Sequence, residues 1–338
     1  MKIALIADSF EKVKGGIEKQ AEILFRLLST SSHQVVFVEY NNLNRLIFSK
    51  NDVIVIEGIH RLKLFKILFY RKSCYNIIFT HGSFFTWTKH PNISVKGKGT
   101  NYLRIKRIFD LFFMKRILSK FDLIVTLSES ESKDLLKLFK IAPQKVYALG
   151  NFSDEPRMSG MQDTAIDLPN SDYVCYVGRL DERKNLIELL KATAYQNLHL
   201  VIAGQDQGML IKLLDYCKVN NFKHFHYEGL VDESAKFKII QNSRFAAVPS
   251  LFEGLPTFAI EALKSKKNVI VTQNCYMDPH PCVIFTGPNW EDISVAIEKA
   301  RLKTGCDGGY ESNQHVFERF IKIVDGHASE NDKITQFS

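Results

Sequence analysis

The chain has 338 residues, of which 45% are hydrophobic and 24% are charged. This length favours two domains over one, and the composition is that of a globular protein rather than a fibrous or disordered one. No uncharged apolar run approaches the roughly 18 residues that a membrane span needs, since the best candidate, residues 108–118, contains Asp110, Lys115 and Arg116. The first residues predict a strand and no signal peptide.

The net charge of +8 is unevenly distributed along the chain. Residues 1–150 hold 25 Lys and Arg against 12 Asp and Glu, whereas residues 151–338 hold 20 against 25. Residues 61–120 alone hold 14 basic residues, one acidic residue and many aromatic side chains. Such a segment is typical of a nucleic-acid-binding face or of a face that binds an anionic membrane surface.

The six cysteines are scattered along the chain and include no Cys-x-x-Cys pair. Cys175 falls within an apolar run that predicts a core strand. This pattern predicts reduced thiols in a cytosolic protein, and neither a disulfide framework nor a zinc site.

Strand-like apolar runs alternate with helical patterns, which predicts parallel α/β sheets. A first series of strands is predicted at 3–7, 35–38, 53–56, 77–80, 123–126 and 146–149. A second series is predicted at 173–177, 198–203, 224–228, 245–248, 269–271 and 283–285. Two series predict two doubly wound domains, at residues 1–155 and 170–310, joined by a stretch rich in Ser, Asp, Pro and Gly.

The stretch PSLFEGLPTFAIEAL, residues 249–263, holds two glutamates eight positions apart, Glu253 and Glu261. A helix is predicted to start at Pro256, because proline is favoured at the first helical position. A helix N-terminus suits a phosphate, and Gly254 allows the backbone to approach an anion closely. Carboxylates beside such a site accept hydrogen bonds from sugar hydroxyls. The stretch therefore predicts a site for a nucleotide diphosphate that carries a sugar.

Two cations, Arg179 and Lys184, follow the strand predicted at 173–177. Cations five residues apart in a turn can pair with both phosphates of a leaving nucleotide diphosphate and stabilise the charge that develops there. Arg183 is an alternative to Lys184 in this role. These cations would replace a divalent metal at such a diphosphate site, and the chain contains no Asp-x-Asp triplet.

Two further turns follow strands of the first predicted domain. Gly15 and Gly16 precede a helix and permit a close backbone approach to a ligand. They do not form a Gly-x-Gly-x-x-Gly fingerprint, so no nicotinamide cofactor is predicted. His81 follows the strand at 77–80, and the alternative to a functional role is a hydrogen-bonded structural histidine.

Taken together, these pieces resemble the retaining glycosyltransferases of family 4, which have the GT-B fold. The matching pieces, in chain order, are GGIE at 15–18, THG at 80–82, VGRLDERKN at 177–185, AG at 203–204, YEGLVDE at 227–233 and the double-glutamate stretch. The resemblance implies two Rossmann-like α/β domains, each a doubly wound parallel sheet, facing across a cleft. It also implies a last helix, at 311–327, that crosses back to the first domain. The polar residues at 328–338 predict a disordered tail.

The resemblance implies a role for each candidate residue. Gly15 and Gly16 would close over the donor phosphates, and His81 would lie near the transferred sugar. Glu253 would contact donor-sugar hydroxyls, and Glu261 would hold the ribose hydroxyls. The catalytic set is therefore Arg179, Lys184, Glu253 and His81, with no metal and no cofactor. The remaining donor-binding residues are Gly178, Gly204, Gly229, Leu230, Gly254, Leu255, Pro256 and Thr257.

The resulting hypothesis is a metal-independent, retaining hexosyltransferase that moves a sugar from a UDP- or GDP-sugar to an acceptor hydroxyl. The basic, aromatic segment predicts a lipid-linked acceptor glycan and an anionic membrane surface, on the cytoplasmic face of the cell membrane. Surface polysaccharide or lipopolysaccharide assembly would need such an enzyme. Two alternatives remain: a sugar-nucleotide 2-epimerase of the same fold, and a nucleic-acid-binding protein that uses residues 61–120.

Overall fold

The structure is a computed structural model that describes residues 1–8, 16–42, 50–58, 74–82, 112–156, 166–303, 305–306 and 309–335, with side chains as far as Gly326. The chain divides into two units, which we call the first and the second unit. The first unit comprises Met1–Ser153 and Asn313–Ser338, and the second comprises Asp154–Ser312. The chain thus passes from one unit to the other twice, near residues 153 and 312.

The first unit contains a six-stranded parallel sheet in the order β2-β1-β3-β4-β5-β6. Its strands are β1 Lys2–Ala7, β2 Gln34–Glu39, β3 Val53–Glu57, β4 Tyr75–Phe79, β5 Leu123–Thr126 and β6 Val146–Ala148. Strands β1 and β3 read as nearly continuous apolar runs because the sheet buries them on both faces. The strand order reverses between β1 and β3.

Two helices of the first unit follow β1 and β5. Helix α1 spans Gly16–Ser29 and buries one apolar stripe against the sheet. Helix α2 spans Glu129–Phe139, and the hydroxyl of Ser128 caps it by accepting a hydrogen bond from the backbone N–H of Glu131.

The second unit repeats this architecture with the strand order β12-β11-β10-β7-β8-β9, all parallel. Its strands are β7 Tyr173–Val177, β8 His199–Ala203, β9 Phe225–Tyr227, β10 Phe245–Val248, β11 Val269–Thr272 and β12 Val283–Thr286. Its helices are α3 Leu186–Tyr195, α4 Leu210–Val219, α5 Glu233–Asn242, α6 Thr257–Lys264 and α7 Trp290–Leu302. The order reverses between β7 and β10. The predicted α/β class with two doubly wound parallel sheets is confirmed.

Helix α8, Asn313–Thr335, lies in the first unit. It buries Val316, Phe317, Phe320 and Val324, and the Phe320 ring lies 5.6 Å from that of Phe79. The helix continues beyond residue 328, because the residues there are compatible with a helix. The prediction of a disordered tail from residue 328 therefore differs from the structure as far as Thr335. Among the described residues, no helix is both long and apolar enough to cross a bilayer.

A disulfide joins Cys282, immediately before β12, to Cys306, after α7. The expectation that all six cysteines are reduced is therefore wrong for this pair, whereas Cys74, Cys175, Cys217 and Cys275 are not disulfide-bonded. The two partners meet only through the packing of β12 and α7, so their spacing in sequence gave no signal. One ring nitrogen of His280 and the two sulfurs lie within 4.8 Å of one another, but sulfurs bonded to each other are not thiolate ligands.

Candidate functional site

The predicted donor-binding residues gather where the second sheet reverses its strand order. Residues 178–184 follow β7 and residues 249–256 follow β10, and these are the two strands at the reversal. The two loops are joined, since the backbone N–H of Leu251 donates to the carbonyl oxygen of Arg183 at 2.8 Å. Open parallel sheets bind ligands outside the carboxyl ends of the strands at such a reversal.

Three of the predicted glycines meet at the carboxyl ends of β7, β8 and β9. The backbone N–H of Gly204 donates to the carbonyl oxygen of Gly229 at 2.6 Å. A Cβ atom on Gly204 would lie 2.0 Å from the carbonyl oxygen of Gly178, and the φ of Gly204 is +133°. Any side chain at position 204 would therefore displace backbone. Beside this cluster, the side chain of Leu230 is 83% exposed.

The helices that follow the two strands at the reversal differ from their neighbours at their N-termini. In α4, α5 and α7 the first N–H groups donate to the side chains of Asp206, Asp232 and Asn289. The N-cap residues of α3 and α6, Asn185 and Pro256, provide no such side-chain cap. Their N-termini therefore keep more of their capacity to bind an anion at the reversal.

Lys184 and Glu253 face each other across the two joined loops. The ammonium group of Lys184 donates to Oε1 of Glu253, and the hydroxyl of Ser250 donates to Oε2 at 3.0 Å. The side chain of Lys184 is largely buried, and that of Glu253 is partly exposed. A predicted phosphate-binding cation thus lies directly beside a predicted sugar-binding carboxylate.

The three cations of this loop, Arg179, Arg183 and Lys184, have different surroundings in the structure. The guanidinium of Arg183 bonds to the carboxylate of Asp181 at 3.0 Å and lies over the ring of Phe252. Burial would raise the pKa of Asp181, but hydrogen bonding and charge from Arg183, with a contribution from Lys184, lower it below its ordinary value. Arg179 is exposed. Arg183 is thus engaged within its own loop, which favours Lys184 over Arg183 as the partner of a ligand.

Helix α6 places Glu261 one turn beyond its start, and Gly254, Leu255 and Pro256 are buried just before the helix. The carboxylate of Glu261 is also buried, and its Oε1 accepts a hydrogen bond from the ammonium group of Lys236 at 2.7 Å. The helix begins at Thr257, so Pro256 is its N-cap residue rather than its first residue.

Of the predicted residues in the first unit, the structure describes Gly16 and His81, which follow β1 and β4 along the chain. Gly16 is the first residue of α1, and Gly15 lies outside the described residues. His81 follows β4 with a φ of 54°, which is unfavourable for a residue other than glycine. Its Nε2 lies 2.6 Å from Oε2 of Glu57, the last residue of β3, and both side chains are buried. Among the described residues, the other carboxylate oxygen of Glu57 has no hydrogen-bond partner.

A second buried carboxylate holds the turn that contains His81. Glu131 in α2 accepts hydrogen bonds from the hydroxyl of Thr80 and from the backbone N–H groups of Gly82 and Leu127, at 2.5 to 2.9 Å. Burial raises the pKa of Glu131 above its ordinary value, although these hydrogen bonds and the charge of His81 oppose the shift. The unusual backbone of His81 is therefore fixed by a neighbouring helix.

Sequence reasoning missed three acidic or basic side chains at these sites. Glu57 ends a strand that is otherwise apolar, and a charge in that position is a usable signal of a functional strand end. Glu131 lies in the first turn of α2, and its pairing with the His81 turn depends on a contact 49 to 51 residues away. Lys236 lies in a helix of ordinary amphipathic pattern and gave no signal.

Comparisons with known proteins show which proteins the chain is similar to. Residues 164–300, most of the second unit, match the family model for glycosyl transferases group 1. A curated relative from Campylobacter jejuni, N-acetylgalactosamine-N,N'-diacetylbacillosaminyl-diphospho-undecaprenol 4-alpha-N-acetylgalactosaminyltransferase, is 30% identical over 168 residues. That match covers 48% of this chain and 44% of the relative, so the chain spans less than half of the relative's length.

Solved structures resemble the chain over nearly its whole length. The lipopolysaccharide outer core galactosyltransferase WaaB in its apo form has a TM-score of 0.68 at 15% identity, and the match covers 97% of this chain and all of that one. The UDP-GlcNAc 2-epimerase of Methanocaldococcus jannaschii has a TM-score of 0.58 at 12% identity, over 96% and 99% of the two chains. The predicted resemblance to bacterial glycosyltransferases of the GT-B fold is confirmed by these matches together with the group 1 match. The assignment to family 4 stays a prediction.

Proposed function

We propose that the chain is a glycosyltransferase that moves a sugar from a nucleotide diphosphate sugar to an acceptor hydroxyl, with retention of configuration and without a metal ion. One observation supports this above the others. At the reversal between β7 and β10, a cation and a carboxylate, Lys184 and Glu253, lie beside two helix N-termini without side-chain caps. A diphosphate and the sugar attached to it would need these two kinds of group side by side.

The proposed chemistry assigns each group a contact. Arg179, Lys184 and the N-terminus of α6 neutralise the charge that builds on the departing diphosphate, and this lowers the barrier to transfer. Glu253 accepts hydrogen bonds from hydroxyls of the donor sugar, and in doing so exchanges part of its contact with Lys184. Glu261 binds the ribose hydroxyls, while Gly178, Gly204 and Gly229 allow the nucleotide to lie against the backbone, with Leu230 along the base.

Retention would follow from attack on the face that the diphosphate leaves. Glu253, the carboxylate nearest the proposed phosphate site, is paired with Lys184, which supports a role in holding the sugar rather than in forming a covalent glycosyl-enzyme. In this scheme the departing phosphate oxygen takes the proton of the acceptor hydroxyl through an oxocarbenium-like transition state. His81 has a role in the transfer step in this proposal, and Glu57 orients its ring.

The acceptor that we propose is a lipid-linked glycan at an anionic membrane surface, on the inner face of the cell membrane. The name of the Campylobacter relative, which specifies a diphospho-undecaprenol acceptor, supports this. Most of the basic segment 61–120 lies outside the described residues, but its last part supports the idea as well. Phe112, Lys115 and Arg116 are exposed in a helical stretch at 112–118 and share one face.

A nucleotide-sugar panel tests the proposal. The protein is incubated with UDP- and GDP-sugars, with excess EDTA, and with a lipid-linked saccharide or water as acceptor. We expect release of UDP or GDP in EDTA, and transfer products with the anomeric configuration of the donor by NMR. Activity that is lost in EDTA and restored by magnesium would contradict metal independence.

The same panel separates the main alternative. The epimerase neighbour favours a sugar-nucleotide 2-epimerase as a second candidate, since the fold is common to both activities. An epimerase would yield a sugar inverted at C2 with no transfer to a saccharide. Sedimentation with anionic but not neutral vesicles, reversed by salt, tests the membrane part. Binding to RNA without binding to vesicles would favour a nucleic-acid partner instead.

A further inference from the structure

The strongest unexplained feature of the second unit is the buried cation Lys236. Its ammonium group in α5 donates to Oδ2 of Asp154 at 2.6 Å and to Oε1 of Glu261 at 2.7 Å. The three side chains are 13%, 7% and 6% exposed. Asp154 is the first residue of the unit, so one ammonium group ties together the start of the unit, α5 and α6.

The charges around this lysine keep it in its charged form. Burial alone would lower the pKa of Lys236, but the carboxylates of Glu261 and Asp154 raise it above its ordinary value. Lys264 lies in the same cluster and bonds to Glu155 at 3.1 Å. Burial lowers the pKa of Lys264 despite the nearby carboxylates, so the charged form is more favourable for Lys236 than for Lys264.

A buried carboxylate is costly unless a cation or several hydrogen bonds compensate it. An ionised carboxylate offers about four acceptor positions. A fixed ammonium group at Oε1 therefore compensates the charge and sets the orientation of the Glu261 carboxylate. A ribose presents two neighbouring hydroxyls, and a carboxylate of fixed orientation suits such a pair of donors.

We propose that Lys236 is a positioning residue that orients the carboxylate of Glu261 for the two ribose hydroxyls of the donor nucleotide. The assignment of Glu261 to the ribose belongs to the proposed function, and this inference rests on it. What is new is that affinity for the ribose depends on a residue in α5 that touches no ligand.

Nucleotides with and without ribose hydroxyls provide the test. Calorimetry of UDP and of 2′,3′-dideoxyuridine 5′-diphosphate is compared in the wild type, Lys236→Met and Lys236→Arg, with the guanosine pair if the wild type prefers GDP. We expect Lys236→Met to weaken UDP binding roughly tenfold, as the loss of charged hydrogen bonds does. It should leave dideoxy-UDP binding unchanged, and Lys236→Arg should recover most of the loss.

Controls separate this effect from a general loss of structure. Lys264→Met removes another buried lysine of the cluster, and it should not abolish the preference for UDP over dideoxy-UDP. Thermal denaturation checks folding, and Lys236→Gln replaces Lys236→Met if the latter does not fold.

Each contrary result has a different meaning. Equal losses for UDP and dideoxy-UDP in the Lys236 variants would show a structural role and overturn the inference alone. A wild type that binds both nucleotides equally would remove the ribose role of Glu261 and the inference with it. A wild type that binds neither nucleoside diphosphate would contradict the proposed function itself.

Discussion

Each unit contains a six-stranded parallel sheet that reverses its strand order once, but the strand orders differ and so does the chemistry at the carboxyl ends of the strands. The second unit has cations, glycines and two helices whose N-cap residues provide no side-chain cap at its reversal, groups that suit a polyanionic ligand. The first unit has two buried carboxylates, Glu57 and Glu131, bonded to the turn of His81. Sheets of one general class can therefore offer a ligand position at this edge in both units, and the side chains decide what each position can bind.

This difference gives each unit a separate expected readout. Changes in the second unit should alter nucleotide binding or the stabilisation of the leaving group. Changes at the Glu57–His81 pair should alter transfer while nucleoside diphosphate affinity stays constant. A Glu57 or His81 variant with an altered nucleoside diphosphate affinity would contradict this division between the units.

The largest expected effect comes from the phosphate-binding cations. Arg179→Ala and Lys184→Ala should each lower the transfer rate by about two to three orders of magnitude, because a charge contact made in the transition state is lost. Steady-state turnover with the best donor of the panel measures this. Arg183→Ala is the matched control and should have a much smaller effect, since its guanidinium bonds to Asp181. Near-normal turnover in both Arg179→Ala and Lys184→Ala would remove the proposed role.

The two glutamates of the second unit should separate binding from turnover. Glu261→Gln should weaken binding of the bare nucleoside diphosphate about tenfold, because a ribose contact is equal in the ground and transition states. Glu253→Gln should leave that affinity nearly unchanged and reduce turnover about tenfold or more, because its sugar contact changes as the ring flattens. Calorimetry measures the nucleoside diphosphate affinity and steady-state kinetics measure the turnover of the same samples. The opposite pattern would reverse the two assignments.

The buried pair of the first unit should affect transfer alone. Glu57→Gln keeps the size of the side chain but removes the charge that faces Nε2 of His81. We expect a loss of about tenfold in turnover with unchanged nucleoside diphosphate affinity, because His81 loses its orientation. His81→Ala should cost about as much, and the double variant no more than either. Additive losses would mean that the two residues act separately.

The sequence predicted the sheets well and the site unevenly, for physical reasons. The twelve strands in the described part of the chain are short apolar runs bounded by turns, which local pattern reveals directly. The site residues that follow strands, such as Arg179 and Glu253, were also accessible, because their position relative to a strand is local. The bonds of Lys236 to Glu261 and of Glu131 to Gly82 span 25 and 49 residues, and no local pattern specifies which charges meet. The Cys282–Cys306 disulfide was missed for the same reason.

The smallest expected effect concerns a histidine cluster away from the proposed site. His199 begins β8, and its two ring nitrogens lie 2.9 and 3.0 Å from nitrogens of His226 and His224. Burial, together with the neighbouring histidines, lowers the pKa of His199 and of His226 below the ordinary value, although Asp167 opposes the shift for His226. These residues lie near the amino ends of β8 and β9, opposite the ends that carry the candidate site.

The direction of the pH effect follows from these lowered pKa values. Below about pH 6.5 the histidines of the unfolded chain bind protons, whereas those of the folded cluster do not yet bind them. The free energy of unfolding therefore falls as the pH drops. The fall should end below the folded pKa values. Urea denaturation at pH 7.5 and pH 5.5 measures it, and His199→Gln should reduce the difference between the two pH values. Nucleoside diphosphate affinity should change equally with pH in the wild type and the variant. An unchanged pH dependence of stability in His199→Gln would show that other groups cause it, and a variant-specific change in affinity would link this end of the sheet to the ligand.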